Sequence, residues 1–300
     1  MPWLQATVMV PNRCQPQVED AMTACGALAV TLQDRDDSAD SIIYEPAPGE
    51  TPVWESLEIT GLFPEQSDPL LIEAVLRRDL DIDPRLRWEI LQDQPWERAW
   101  LKDFQPLVFG NRLCICPQHL TPPAGLTAVL LDPGLAFGTG THPTTGLCLE
   151  YLCRHDLANS TVLDFGCGSG ILGIAALKLG ARRVIAVDND PQALTATLEN
   201  ARRNQVSDQV QVMAPEDTTN PDMTKLTADF IVANILAGTL IELSGLIGPL
   251  ALDASGLALS GILRDQADTV ASHYAEYVSS IHVETRDDWV LLQGTGKGQN

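Results

Sequence analysis

The chain has 300 residues, 45% of them hydrophobic, and a formal net charge of −21, which allows a substantial core in one large or two moderate domains. Such a charge disfavours a phosphate backbone as partner and favours a basic one, so no direct nucleic-acid binding is expected. No stretch is apolar for long enough to span a membrane: Phe230 to Leu263 is interrupted by Asn234, Glu242, Pro249 and Asp253.

The start, MPWLQATVMVP, has no basic stretch followed by an apolar run, and nothing in it resembles a secretion signal. Residues 1–95 read as a ferredoxin-like domain. Leu4 to Val10 is a strand, Pro16 to Cys25 a helix and Ala27 to Leu32 a strand, followed by the acidic stretch Asp34 to Asp40. Val53 to Ile59 is strand-like, Asp68 to Leu80 is helical with Asp68 as cap and Pro69 in the first turn, and Leu86 to Leu91 is a last strand. The order βαββαβ is the split-βαβ plan of many small recognition domains. This segment holds eighteen Asp and Glu against six Arg and no lysine, a net of −12.

Residues 96–128 form a linker and lead-in. Between Asp93 and Gly110 the expected element is a helix, with Trp96 and Trp100 at helical spacing packing on one or both domains. Cys114 and Cys116 are spaced for one face of a strand and read as small apolar core residues. The seven cysteines form no C-x-x-C pair, so neither a disulfide framework nor a metal site is expected, and the setting is reducing and cytoplasmic.

Residues 129–300 change to alternating strands and helices. Thr161 to Phe165 is a buried strand, Ile171 to Leu179 a helix closed by Gly180, and Arg183 to Asp188 a second strand. Asp190 caps a helix that has Pro191 at its first position and runs to about Asn204. Strands follow at Val210 to Met213, Phe230 to Ala233 and Leu257 to Ser260, and IHVE with WVLLQ suggests a closing antiparallel pair. The fold class is therefore α/β, a doubly wound, mostly parallel Rossmann-like sheet behind a small α+β domain. Ligands of such sheets sit beyond the carboxyl ends of the strands, where the glycine loop, Asp188 and Asn234 fall.

The loop, DFGCGSGILG from Asp164 to Gly173, superimposes two glycine patterns. Gly168, Gly170 and Gly173 fit the G-x-G-x-x-G of dinucleotide enzymes, while Gly166, Gly168 and Gly170 form a G-x-G-x-G run. Asp164 separates the readings, because a carboxylate there is ill placed beside a pyrophosphate and well placed near a cationic amine. S-adenosylmethionine has that amine, a ribose diol for Asp188, and no phosphate. DFGCGSG followed by VDNDP resembles the first two motifs of class I methyltransferases, which leaves Gly173 for close helix-to-sheet packing.

Two further stretches, LDPGLAFGTGTHPTTGLCLEYL (131–152) and ADFIVANILAGTLIEL (228–243), resemble one family closely, the ribosomal protein L-eleven methyltransferases. The resemblance also takes in EPAPGETPVWE (45–55) and TGLF (60–63). It implies an S-adenosylmethionine-dependent protein methyltransferase acting on amines of a basic large-subunit ribosomal protein, with the acidic domain as substrate reader. It also implies cofactor contacts at Thr145, Gly166, Asp188 and Asn234, to which the loop adds Asp164 and Gly168. Asn234 would orient the amine, and Thr145 is placed in a turn-rich segment ahead of a helix. Each residue has a structural alternative: Asp188 as a turn cap, Asn234 as a partner of loop backbone, Thr145 as a helix cap, and His142 as a structural group or a base. A nucleic-acid amino-methyltransferase, since ANIL loosely resembles N-P-P-Y, a dehydrogenase and a non-catalytic cofactor-binding module remain as rivals.

Overall fold

The computed structural model describes residues 2–34, 55–79, 85–92, 105–131, 140–215 and 227–298. The chain divides into two compact units, Met1–Ala99 and Trp100–Asn300.

In the first unit, strands β1 (Trp3–Pro11), β2 (Ala29–Asp34), β3 (Ser56–Pro64) and β4 (Arg87–Leu91) form an antiparallel sheet in the order β2-β3-β1-β4. Helices α1 (Gln15–Ala24) and α2 (Pro69–Asp79) complete the βαββαβ chain order. The strict alternation of β3 buries Leu57, Ile59 and Phe63 on one face, where Val18 and Met22 of α1 and Ile72 and Leu76 of α2 complete the core. Gly61 lies on that same face. A side chain there would meet the Phe63 ring at 2.8 Å and the Met22 sulfur at 2.9 Å, so the glycine of TGLF makes room for a helix to lie on the sheet. Asp68 caps α2 as expected, its carboxylate accepting from the Leu70 N–H at 2.9 Å.

Residues 35–40 of the acidic stretch and the tryptophan pair at 96 and 100 lie outside the described residues. Where the expected helix reaches described chain it is absent, because 107–109 is a strand. It is β5 (Leu107–Phe109), which with β6 (Leu113–Cys116) and β7 (Thr127–Leu130) makes a three-stranded sheet within the second unit. All four residues of β6 are buried, Cys114 and Cys116 included, and burial pushes both thiols up. The cysteine spacing points to a strand at β6; patterning misses β5, which at three residues is too short to show a period, and the pairing of the three strands into a sheet.

The remaining strands are β8 (Thr161–Phe165), β9 (Arg183–Val187), β10 (Val210–Met213), β11 (Phe230–Asn234), β12 (Gly256–Leu263), β13 (His282–Arg286) and β14 (Trp289–Gly294), ordered β10-β9-β8-β11-β12-β14-β13. β8 to β12 pair in parallel, and β14 is antiparallel to both its neighbours. β8 is buried along its whole length, as a central strand covered on both faces must be. Its residues alternate between two cores: Val162 joins one with helices α3 (Pro143–Arg154) and α4 (Ile171–Lys178), Leu163 the other with α6 (Ala237–Glu242), α7 (Ser244–Ala251) and α8 (Ala267–Tyr274). Helix α5 (Pro191–Arg203) follows β9, and Asp190 caps it, accepting from the Gln192 N–H at 2.8 Å. Strand order reverses between β8 and β11, and the carboxyl ends on either side of that reversal carry Gly166 and Asn234.

Candidate active site

Gly166, Gly168 and Gly170 have φ of 75°, 52° and 78°, so the loop after β8 turns through the left-handed region at alternate residues. The G-x-G-x-G spacing is thus a backbone requirement. Gly173 has no such angle. A side chain there would stand 2.7 Å from Val184 Cγ1 on the neighbouring strand, which is the close packing of helix on sheet expected for it.

The loop is held from three sides. The N–H groups of Gly166 and Cys167 donate to the Val187 carbonyl at 2.8 and 3.0 Å, and the Gly168 N–H donates to Asp188 Oδ2 at 2.9 Å. From α5, the Thr197 hydroxyl donates to the Gly168 carbonyl at 3.0 Å and Asn200 Nδ2 to the Ser169 carbonyl at 2.8 Å. Thr197 and Asn200 are buried, as is Asn204, which exchanges bonds of 2.7 and 2.8 Å with the backbone of Leu130. None of the three was singled out from sequence. Their signal was small polar residues at three- and four-residue spacing along one face of a helix.

Asp188 stands just beyond β9 and is half-buried, its Oδ1 accepting from the Asp190 N–H at 3.0 Å while Oδ2 takes Gly168. The turn-cap alternative and the ligand role coincide here. Each carboxylate oxygen keeps a lone pair beyond the backbone bond that aims it.

Asp164 is 1% exposed; its Oδ2 accepts from the Gly173 N–H at 2.8 Å, and its Oδ1 is buried with no partner among the described residues. Burial pushes its pKa up to about 7, the Gly173 N–H opposing and the Asp188 charge adding. A buried carboxylate oxygen without a donor is costly unless a ligand supplies one, and a cationic amine would.

Thr145 lies inside α3, near its start, which corrects the expectation of a turn-rich segment ahead of a helix. The N-cap is His142, whose Nδ1 lies 2.7 Å from the Thr144 hydroxyl and accepts from the Thr144 N–H at 3.4 Å. Its ring meets Trp289 edge-on at 4.8 Å, and burial lowers its pKa. The His142 side chain therefore organises the helix start. Pro143 in the first turn, together with the histidine cap, starts the helix early enough to include Thr145.

Asn234, the last residue of β11, donates through Nδ2 to Thr145 Oγ1 at 3.2 Å across 89 residues of sequence. Two of the named residues are thus in direct contact. Asp164 near the end of β8, Gly166 and Gly168 on the loop after it, Asp188 after β9 and Asn234 at the tip of β11 occupy the ends of three adjacent strands.

Comparison with known proteins bears on the family and the fold. Residues 2–297 match the family described as Ribosomal protein L11 methyltransferase (PrmA). The chain belongs to this family. Relatives named ribosomal protein L11 methyltransferase include one from Nitrosococcus oceani, 46% identical over 98% of this chain and 99% of its own length. Another, from Tolumonas auensis, is 46% identical over 99% of this chain and all of its own. A crystal structure of a ribosomal protein L11 methylase from Lactobacillus delbrueckii subsp. bulgaricus superimposes with a TM-score of 0.56 at 30% identity, covering 65% of this chain and 100% of that one. The enzyme is accordingly an S-adenosylmethionine-dependent methyltransferase with a Rossmann-like catalytic sheet. The unpartnered Asp164 oxygen, the left-handed glycine loop and the exposed lone pairs of Asp188 suit that molecule's amine, backbone approach and ribose hydroxyls respectively.

Proposed function

We propose that this enzyme methylates amine nitrogens of ribosomal protein L11, lysine ε-amines and the N-terminal α-amine, with Asn234 orienting the acceptor and residues 1–95 reading the substrate. The observation that carries the reading is the Asn234–Thr145 contact at the strand tip beside the glycine loop. When bound, S-adenosylmethionine supplies an electrophilic methyl group on a sulfonium; Asp164, Gly166, Gly168, Asp188, Thr145 and Asn234 would hold it.

What the chain must do is present a neutral amine with its lone pair aimed. A lysine of ordinary pKa near 10.4 costs about 4–5 kcal/mol to deprotonate at pH 7, and an α-amine near 7.7–8.0 about 1–1.5 kcal/mol. Desolvation at the strand tips and a neighbouring positive charge both lower that cost, so water suffices as proton acceptor. With Nδ2 engaged by Thr145, the Asn234 carbonyl oxygen accepts an amine hydrogen and fixes the direction of approach. Orientation of this kind contributes several kcal/mol to catalysis.

A nucleobase substrate fits less well. In the ANILA stretch, the position that would carry a stacking aromatic is Ala237, 2% exposed and beginning α6. The net −12 of residues 1–95 suits a basic protein and repels nucleic acid. No helix among the described residues is long and apolar enough to cross a membrane, and a cytoplasmic site of action accords with a ribosomal substrate.

The test is incubation of the purified enzyme with L11 and methyl-labelled S-adenosylmethionine, followed by mapping of the labelled amines. Transfer to lysine and N-terminal nitrogens is expected; label on nucleic acid alone, or none on L11, refutes the proposal.

A further inference from the structure

β12 is irregular where it passes the site. Leu257 to Leu259 pair with Gly294 to Leu292, and Ile262 and Leu263 with Val290 and Trp289, so Ser260 and Gly261 together oppose Leu291. Two residues facing one make a β-bulge, which bends a strand and re-aims what lies beside it. Ser260 is also the register partner of Asn234, and the Ile235 N–H donates to the Ser260 carbonyl at 3.1 Å. The buried Ser260 hydroxyl donates to the Val290 carbonyl at 2.9 Å and holds the bulge from its other side.

Gly261 has a φ of 85°, and a side chain on it would stand 2.3 Å from the Ile235 carbonyl oxygen, 2.7 Å from its carbon and 3.1 Å from its nitrogen. These are backbone atoms, which cannot rotate aside as the end of a flexible side chain can. The Ile235 side chain in turn fills the space over Gly166, with Cγ2 2.2 Å from where a Cβ on that glycine would lie. Ile235 is seated between a glycine of β12 and one of the loop after β8, its backbone on Gly261 and its side chain on Gly166. Asn234 rides on the same segment, one residue earlier.

We infer that the Ser260–Gly261 bulge is a positioning element for the methyl acceptor: by letting the Ile235 backbone lie against β12, it sets where Asn234 stands. The inference rests on the proposed amine methylation. β8 and β9, which carry the glycine loop and Asp188, lie on the far side of β11 from the bulge. A change at Gly261 therefore reaches Asn234 first, and the glycine loop only through the Ile235 side chain that lies over Gly166.

The test uses full-length G261A and S260A with L11 as substrate, calorimetric titration of S-adenosylhomocysteine, and NMR of the Asn234 side-chain amide. In G261A, kcat should fall about a hundredfold, the loss that accompanies a misplacement of about 1 Å. In S260A, which keeps the glycine, it should fall about fivefold, while affinity for S-adenosylhomocysteine falls by a clearly smaller factor than kcat in both variants. The Asn234 amide resonances should shift in both. A merely structural role would lower nucleoside affinity, turnover and melting temperature together and leave the folded fraction's Asn234 signals in place; that pattern, or an unchanged kcat in G261A, overturns the inference. Should G261A fail to fold, S260A decides alone, and an unchanged kcat with unshifted Asn234 signals overturns it. If the wild-type enzyme leaves L11 unmethylated, the proposed reaction fails instead, and the Asn234 shifts still report whether the bulge places that residue.

Discussion

Replacing Asp164 with asparagine should stabilise the ligand-free enzyme at alkaline pH while weakening its hold on the cofactor. The carboxyl is raised from 3.8 to about 7 by burial, so between those values the folded chain binds a proton that the unfolded chain has lost. The stability that this carboxyl contributes is then greatest below pH 4, falls as pH rises, and is fully lost once pH passes 7. At 1.36 kcal/mol per unit, three units set a ceiling of about 4 kcal/mol, and the part lying between pH 5.5 and 8.5 is about 2 kcal/mol. Asparagine keeps an acceptor for the Gly173 N–H, now at 2.8 Å from Oδ2, but leaves its own N–H buried without a partner at a cost of about 1–3 kcal/mol. The absolute gain is therefore small, and the informative quantity is its pH dependence. In scanning calorimetry of the ligand-free proteins, the melting temperature of D164N relative to wild type should rise by about 4–8 °C between pH 5.5 and 8.5. Titration at pH 8.5 should show S-adenosylhomocysteine bound about ten- to a hundredfold more weakly by D164N, since a charge-assisted bond to its amine is lost. A melting difference independent of pH would mean that Asp164 is ionised when buried, and unchanged nucleoside affinity would remove it from the cofactor site.

Asn234→Ala should lower kcat on L11 by about a hundredfold and S-adenosylhomocysteine affinity by a smaller factor, about tenfold; equal losses in both would make it a cofactor ligand alone. Asn200→Ala removes the 2.8 Å bond to the Ser169 carbonyl and should cost about 1–3 kcal/mol, seen as a lower melting temperature and weaker cofactor binding without contact between residue 200 and substrate. His142→Ala should cost about 1 kcal/mol through loss of the cap on α3 and leave the shape of the kcat pH profile intact. Disappearance of a limb from that profile would make His142 a proton acceptor after all. The KM for L11 should rise with ionic strength if the −12 charge of residues 1–95 draws in the substrate, and a salt-independent KM would set that role aside.

Much of this enzyme was legible along the chain because local features encode it. A buried strand followed by glycines at alternate positions can only be a sharp loop at a sheet edge, and an acid or amide ending the next strands lands at the same edge by the geometry of parallel pairing. That reasoning located Gly166, Gly168, Asp188 and Asn234 before any coordinates. Asp164 was read as a ligand from its sign alone; its burial and unpartnered Oδ1 emerged only when α4 was laid across β8. Likewise the contact of Asn234 with Thr145, the grip of Thr197 and Asn200 on the glycine loop, and the seating of Ile235 on the β12 bulge join residues 26 to 89 positions apart. Such contacts depend on strand order and on which helix covers which face. Spacing within a segment carries neither, because the periods of strands and helices specify a face to bury and leave its partner to the fold.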